Sequence, residues 1–169
     1  MDAIEAIMSR RSVRSYTDEP VSDEAVELLL RAAMNAPSAR NQQPWEFVVI
    51  RDRAVLAEVP KAHPYAQMVP SAQVAIVVCA DMRRVVSEGF WIQDCAAATE
   101  NILIAANALG LGAVWLGVYP RDARVDGLRR LLGLPGHIVP FSLIPVGHPA
   151  ERPPKVDRFD TSRIHRDRW

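Results

Sequence analysis

Apolar positions recur along this chain at two spacings, and the changes between them mark its elements. Residues 2–9 place Ile4, Ile7 and Met8 on one side of a short helix. Arg10–Tyr16 leave it extended, and Thr17-Asp18-Glu19-Pro20 reads as a turn. Ser22 stands where an N-cap is wanted, with Asp23 and Glu24 at the positive end of the helix dipole. Val26, Leu29, Leu30, Ala33 and Met34 keep helical spacing up to Pro37. The pattern then becomes continuous. Trp45–Ile50 suits a strand covered on both faces, and so does Val74–Ala80. Between them residues 53–59 predict a short helix, and His63–Ser71, with two prolines, a loop.

Phe90–Leu109 predicts the longest helix, about 30 Å at 1.5 Å per residue. Its polar stripe is narrow: Gln93, Glu100 and Asn107, flanked by Asp94 and Asn101. A helix apolar on nearly every side must be buried, in part against a second subunit in so small a chain. Gly110 is a natural stop. Ala113–Val118 predicts a third strand, Val125–Leu132 a short helix ending near Gly133, and Ile138–Val146 a fourth strand. Pro140 and Pro145 give that last strand edge positions or bulges. From Pro149 onward the chain is Pro-rich and charged, yet Phe159, Ile164 and Trp169 keep apolar anchors along it. Such an arm, residues 150–169, fits laid across a partner, with anchors in grooves and charges in water. No repeat or linker divides residues 1–169, which read as one domain.

Composition narrows the function classes. The formal net charge is +0, so a generally basic nucleic-acid binder is disfavoured and the arginines at 10–14 are a local cluster. The two cysteines, Cys79 and Cys95, sit in apolar runs, which argues for inert core thiols and fits a reducing cytoplasm. The N-terminus lacks the basic-then-apolar order of a signal peptide. Ile102–Pro120 is apolar, but Asn107, Gly110 and Gly112 split it below the ~20 residues of a membrane span. His63, His137, His148 and His165 are scattered without metal-ligand spacing. No nucleophile elbow, P-loop or dinucleotide fingerprint occurs; Gly110, Gly112 and Gly117 have the wrong spacing and run from helix to strand.

Two stretches carry chemistry. Arg10-Arg11-Ser12-Val13-Arg14 puts three guanidiniums and a hydroxyl at a helix end, and the guanidinium fork fits phosphate. Ala36-Pro37-Ser38-Ala39-Arg40-Asn41-Gln42-Gln43-Pro44-Trp45 is a polar loop opening into a strand. Each alone has a plainer account: a solvated helix end, a turn asparagine, a core tryptophan. Together and in order they point to one ligand carrying a phosphate and a polar ring.

With Ala108-Leu109-Gly110-Leu111-Gly112, Pro145-Val146-Gly147-His148-Pro149 and the ending Arg158-Phe159 through Ile164-His165 to Arg168-Trp169, the chain resembles the short form of the nitroreductase family of FMN-dependent oxidoreductases. The resemblance covers essentially the whole chain. It implies an α+β fold, a three-layer α-β-α sandwich with a mostly antiparallel sheet, as an intertwined homodimer with FMN in the interface. Arg10, Arg11, Ser12, Val13 and Arg14 would hold the phosphate and flavin edge. Pro37, Ser38 and Asn41 would come from the other subunit. Trp115, Leu116 and Gly117 would pass the ring, with the Leu116 N–H near N5, and Arg158 would return to the phosphate. Gln67 stands where several members carry a flavin-directed lysine, so one positive charge is missing there.

The chemistry implied is hydride transfer from NADH or NADPH through the flavin to a small-molecule acceptor such as a nitroaromatic or quinone, in ping-pong fashion. No catalytic side chain, metal, nucleic acid or membrane is called for, and a cytoplasmic setting is expected. Within the same fold a reductive dehalogenase or flavin-modifying enzyme is the alternative, or a non-enzymatic flavin-binding dimer.

Overall fold

The sheet is organised around strand β2, Val74–Asp81, which is buried along its whole length. The structure, a computed structural model, describes residues 1–154 and 156–169. Among them, α1 (Ala3–Ser9), α2 (Asp23–Met34), β1 (Trp45–Ile50), α3 (Arg53–Ala62), β2, α4 (Trp91–Ala108), β3 (Gly112–Ala113), β4 (Leu116–Gly117), α5 (Asp122–Leu132) and β5 (Ile138–Gly147) follow in order. The sheet runs β1-β2-β5-β3, with β4 also on β5, and all these pairings are antiparallel.

Alternation along β2 sends its two faces into two cores. Val74, Ile76, Val78 and Ala80 join Leu29 of α2 and Ile102 of α4. Ala75, Val77 and Cys79 join Leu56 of α3 and Leu128 of α5. The result is the expected α-β-α sandwich. Ser22 caps α2 by accepting from the Ala25 N–H at 3.1 Å, and Gly110 follows α4 at φ +76. Helix α3 runs three residues beyond the predicted end at 59, through Pro60 to Ala62. The fully buried Val59 holds that last turn to the core, and the tertiary packing outweighs the proline's lost hydrogen bond.

The predicted third strand is broken. β3 and β4 share one register on β5, with Gly112 opposite Gly147 and Leu116 opposite Leu143. The gap at Val114-Trp115 falls opposite Pro145, which has no N–H to give to a ladder. β5 itself is a central strand, flanked by β2 and by β3 with β4, so its prolines do not mark an edge. Pro140 sits at a bulge: Val78 pairs with Ser142 and Cys79 with Pro140, leaving Phe141 over.

The segment after α1 docks on the end of this sheet. Ser12 bridges to Ala113 in parallel and Tyr16 to Pro149. Both contacts need a glycine opposite. A Cβ on Gly112 would lie 2.6 Å from Val13 Cγ1, and one on Gly147 would lie 2.9 Å from Tyr16 Cδ1. Val13 and Tyr16 are buried, and Tyr16 is held by its hydroxyl donating to the Val13 carbonyl at 2.7 Å, so neither can yield cheaply. Gly112→Ala and Gly147→Ala should each cost about 1–3 kcal/mol through overpacking. Gly136→Ala, where a Cβ meets nothing within 4 Å, should stay within about 0.5 kcal/mol of the parent. Urea unfolding at matched protein concentration measures all three.

Candidate functional site

The N-terminal arginines are fixed from three sides. Asp2 caps α1 through the Glu5 N–H at 2.9 Å. Ser12 and Val13 are pinned to β3, the Val13 N–H donating to the Ala113 carbonyl at 3.0 Å. The Arg14 N–H donates to Glu151 Oε1 at 2.6 Å. Their side chains then differ. Arg10 pairs with Glu100 of α4 at 3.3 Å. Arg11 donates to four backbone carbonyls: Met8, Arg10, Pro154 and Val156. The Arg14 side chain is exposed and has no partner among the described residues.

Arg158 comes back to this cluster. With Ile7, Met8, Arg10, Arg11, Val156, Asp157 and Phe159 it lines a cavity of about 290 Å³. Three guanidiniums beside exposed apolar side chains suit an anionic group joined to a flat apolar one.

The Pro37–Asn41 loop is held elsewhere. Asp94, in the first turn of α4 and buried, accepts from the Ala39 N–H at 2.9 Å and from Gln42 Nε2 at 2.6 Å. Gln42 Oε1 in turn accepts from the Val86 and Ser87 N–H groups. Ser38 Oγ accepts from the Gln43 N–H at 3.0 Å. The network restrains three non-glycine residues in the left-handed region, Arg40 (φ 52), Asn41 (φ 54) and Gln43 (φ 42). Such strain persists only where surrounding contacts over-determine it, and it gathers at functional sites. Pro37 and Ser38 line a separate cavity of about 410 Å³ with Phe90, Gln93 and Ala97. Asp94 anchors this loop near one end of α4, while Asn107 near the other end donates to the Ala6 carbonyl of α1. They are 13 residue steps apart, about 20 Å along the helix. Arg10, paired with Glu100, meets the same helix between these two anchors.

Trp115, Leu116 and Gly117 occupy β4 and the break before it. Trp115 is half-buried against Phe141, ring centroids 5.8 Å apart. Leu116 is buried. The Gly117 carbonyl accepts twice, from Arg124 Nη1 at 2.7 Å and from His63 Nε2 at 2.9 Å. His63 Nδ1 accepts from the Tyr65 N–H, and the Arg124 guanidinium lies 5.2 Å from the centre of the Tyr65 ring. This ties the loop bearing the exposed Gln67 to β4.

Sequence reasoning missed His63 and Asp94. In the sequence the histidine is one of four scattered ones, and Asp94 only flanks the polar stripe of its helix. Their partners lie 54 and 55 residues away in sequence, so no local signal marks them. Burial pushes the Cys79 thiol up to about 12 and the Cys95 thiol further, as inert core thiols require. No group of three or more His, Cys, Asp or Glu placed to hold a metal occurs among the described residues. None of their helices is long and apolar enough to cross a membrane.

A profile of the nitroreductase family matches residues 7–65 and 56–148. The chain belongs to the nitroreductase family. A family protein of Methanothermobacter thermautotrophicus, provisionally named NADH dehydrogenase/NAD(P)H nitroreductase, is 52% identical over 169 residues, covering 100% of this chain and 88% of the relative. The crystal structure of a protein with the same provisional name from Parabacteroides distasonis superposes with TM-score 0.94 at 42% identity, over 99% of this chain and 98% of that one. A provisionally named nitroreductase of Desulfovibrio desulfuricans, solved in complex with FMN, gives TM-score 0.86 at 36% identity, over 100% of this chain and 98% of that one.

The His63 contacts carry a pH consequence. Burial lowers its pKa below 6.5, and the neighbouring Arg124 adds to this. The folded protein therefore holds His63 neutral while the unfolded chain can protonate it. The stability tied to neutral His63 is present above the unfolded pKa and is lost as pH falls toward the folded one. Urea unfolding from pH 7.5 to 5 should show stability falling on the acid side of about 6.5. His63→Gln should be less stable at pH 7.5 but lack that part of the acid loss.

Proposed function

We propose that this nitroreductase-family chain is an FMN-dependent oxidoreductase, moving a hydride from NADH or NADPH to a small oxidant such as a nitroaromatic or quinone. The observation that carries this reading is the cavity shared by Arg10 and Arg158, reached from opposite ends of the chain. A phosphate with a flat ring fits such a place: fixed cations for the one, exposed Ile7, Met8 and Phe159 for the other. The FMN complex of the Desulfovibrio relative and the NAD(P)H-naming of the Methanothermobacter relative support the same cofactor and donor.

In this reading Arg10, Arg14 and Arg158 hold the phosphate, and Ser12 and Val13, pinned on β3, set the register. Trp115, Leu116 and Gly117 lie along the ring, with Gly117 steadied by His63 and Arg124. FMN, when bound, supplies the two-electron chemistry, and the protein binds it, orients it and tunes its charge. Positive charge near the ring favours its reduced, anionic form. With Gln67 in its loop, that charge comes from the N-terminal arginines.

The working unit in this reading is a homodimer. Ile4, Ile7 and Met8, the apolar side of α1, are all exposed, and Ala6 is the buried residue of that helix. Phe159, Ile164 and Trp169 on the arm are exposed as well. The Pro37–Asn41 loop, which lines a cavity separate from that of Arg10 and Arg158, then serves the arginines of a partner. Light scattering should read about two chains per particle, since removing one large apolar side chain from water is worth roughly 1.5–3 kcal/mol. A monomer at micromolar concentration overturns this part.

Purified protein should be yellow, with about one FMN per chain. Arg14→Ala should weaken FMN about ten- to a hundredfold, the loss of one charge-assisted bond. A colourless protein that takes up no added FMN overturns the reading. The sequence holds no second nucleotide-binding fingerprint, so donor and acceptor should use one site in turn. Double-reciprocal plots should be parallel, and intersecting lines would indicate a ternary complex.

A further inference from the structure

The five N–H bonds of an arginine set a limit on what it can hold. Arg11 has spent four of them. Nε donates to the Pro154 carbonyl at 3.2 Å and Nη2 to the Val156 carbonyl at 2.9 Å. Nη1 donates to the Met8 carbonyl at 3.0 Å and to the Arg10 carbonyl at 2.7 Å. One N–H remains, on Nη2. A phosphate taken bidentately needs two parallel N–H groups from one fork. Arg11 could offer them only by releasing the arm or the end of α1.

The four acceptors fall into two sets. Met8 and Arg10 are the last turn of α1 and its C-cap, where carbonyls lack helical partners and a cation is favoured. Pro154 and Val156 belong to the C-terminal arm. Arg158 follows two residues after Val156 and lines the cavity that Arg10 lines. Arg14, by contrast, keeps its side chain free among the described residues.

We infer that Arg11 is a positioning residue: its guanidinium latches the C-terminal arm to the end of α1 and so carries Arg158 to the Arg10 cavity. The phosphate contacts then belong to Arg10, Arg14 and Arg158, and Arg11 acts on the cofactor only through the arm. The coupling to the cofactor rests on the flavin reading above; the latch itself does not.

Arg11→Lys separates the two roles. Lysine keeps the charge that a phosphate ligand needs. It lacks the planar fork that reaches both arm carbonyls while holding α1. Two readouts on the full-length chain apply. The first is limited chymotrypsin cleavage after Phe159 in FMN-free protein, followed by intact mass. The second is FMN affinity by flavin fluorescence. Arg11→Lys and Arg11→Gln should both speed cleavage about tenfold, the effect of losing about one hydrogen bond, and should weaken FMN by similar factors. Arg14→Ala should weaken FMN without changing cleavage.

Near-parental FMN affinity in Arg11→Lys, a large loss in Arg11→Gln and unchanged cleavage in both would make Arg11 a direct phosphate ligand and overturn the latch. Unchanged cleavage with unchanged affinity in both overturns it too. Faster cleavage in a protein that never binds FMN supports the latch and removes the flavin reading instead. Circular dichroism of each variant separates a loosened arm from a failed fold, and either variant alone suffices for the cleavage readout.

Discussion

The candidate site depends on one close approach, that of the extended segment Ser12–Tyr16 to the end of the sheet. Val13 and Tyr16 sit where side chains on Gly112 and Gly147 would be. Because those positions carry no Cβ, the segment can exchange backbone hydrogen bonds with the sheet, Val13 with Ala113 and Thr17 with His148. The arginine cluster lies along that seam. The arm sets out from it too, with the Ala150 N–H donating to the Ser15 carbonyl and Glu151 accepting from the Arg14 N–H. The first and last parts of the chain meet there, so Arg10 and Arg158 can line one cavity despite their separation in sequence. Without the approach, the arginines would be a flexible patch with no defined spacing, and binding would cost their ordering entropy.

Two departures from regular pairing shape the neighbouring strands. Pro145 denies the ladder a donor opposite Val114, and the strand parts into β3 and β4. Trp115, released from pairing, turns onto Phe141, the residue left over at the β2–β5 bulge. Trp91 and Tyr119 complete the aromatic group, with ring centroids 4.7 Å apart. Proline, which weakens a ladder, thus places a tryptophan and lets β4 resume in the same register after two unpaired residues. His63 and Arg124 then hold the Gly117 carbonyl from the side, so the short strand does not depend on β5 alone.

Much of this was legible in the sequence. β1 was read with its observed limits, and α2, α4, α5 and β2 to within a few residues, because their apolar spacing and stop residues agree with the tertiary packing. The arginine and Pro37–Trp45 stretches stood out because charge and polarity are concentrated there between apolar elements. What escaped has a common cause. The central place of β5, the break at Val114-Trp115, the burial of His63 and Asp94 and the occupation of Arg11 are all set by partners distant in sequence. Periodicity reports which face of an element is covered, not by what. The same limit explains α1. Its Ile4, Ile7 and Met8 stripe was read as one side of the helix, and that side is exposed rather than part of the chain's own core.

Asp94 shows how the remaining loop keeps its shape without help from the arginines. Burying a carboxylate is costly unless its oxygens are well bonded. Here the donors are neutral, the Ala39 N–H and the Gln42 amide, and the first turn of α4 adds its partial positive charge. Gln42 passes the restraint on to Val86 and Ser87, so the loop is bound to the helix and to the segment before it. That bonding offsets the left-handed conformations of Arg40, Asn41 and Gln43, each of which costs on the order of 1 kcal/mol when unsupported. A loop that only joined α2 to β1 could relax by placing glycine at these positions. Keeping side chains there, at that cost and over a buried charge, is reasonable where the side chains meet something outside the chain. In the homodimer reading, that something is the cofactor held by the other copy's arginines, and rigidity lets the loop meet it without a further ordering cost.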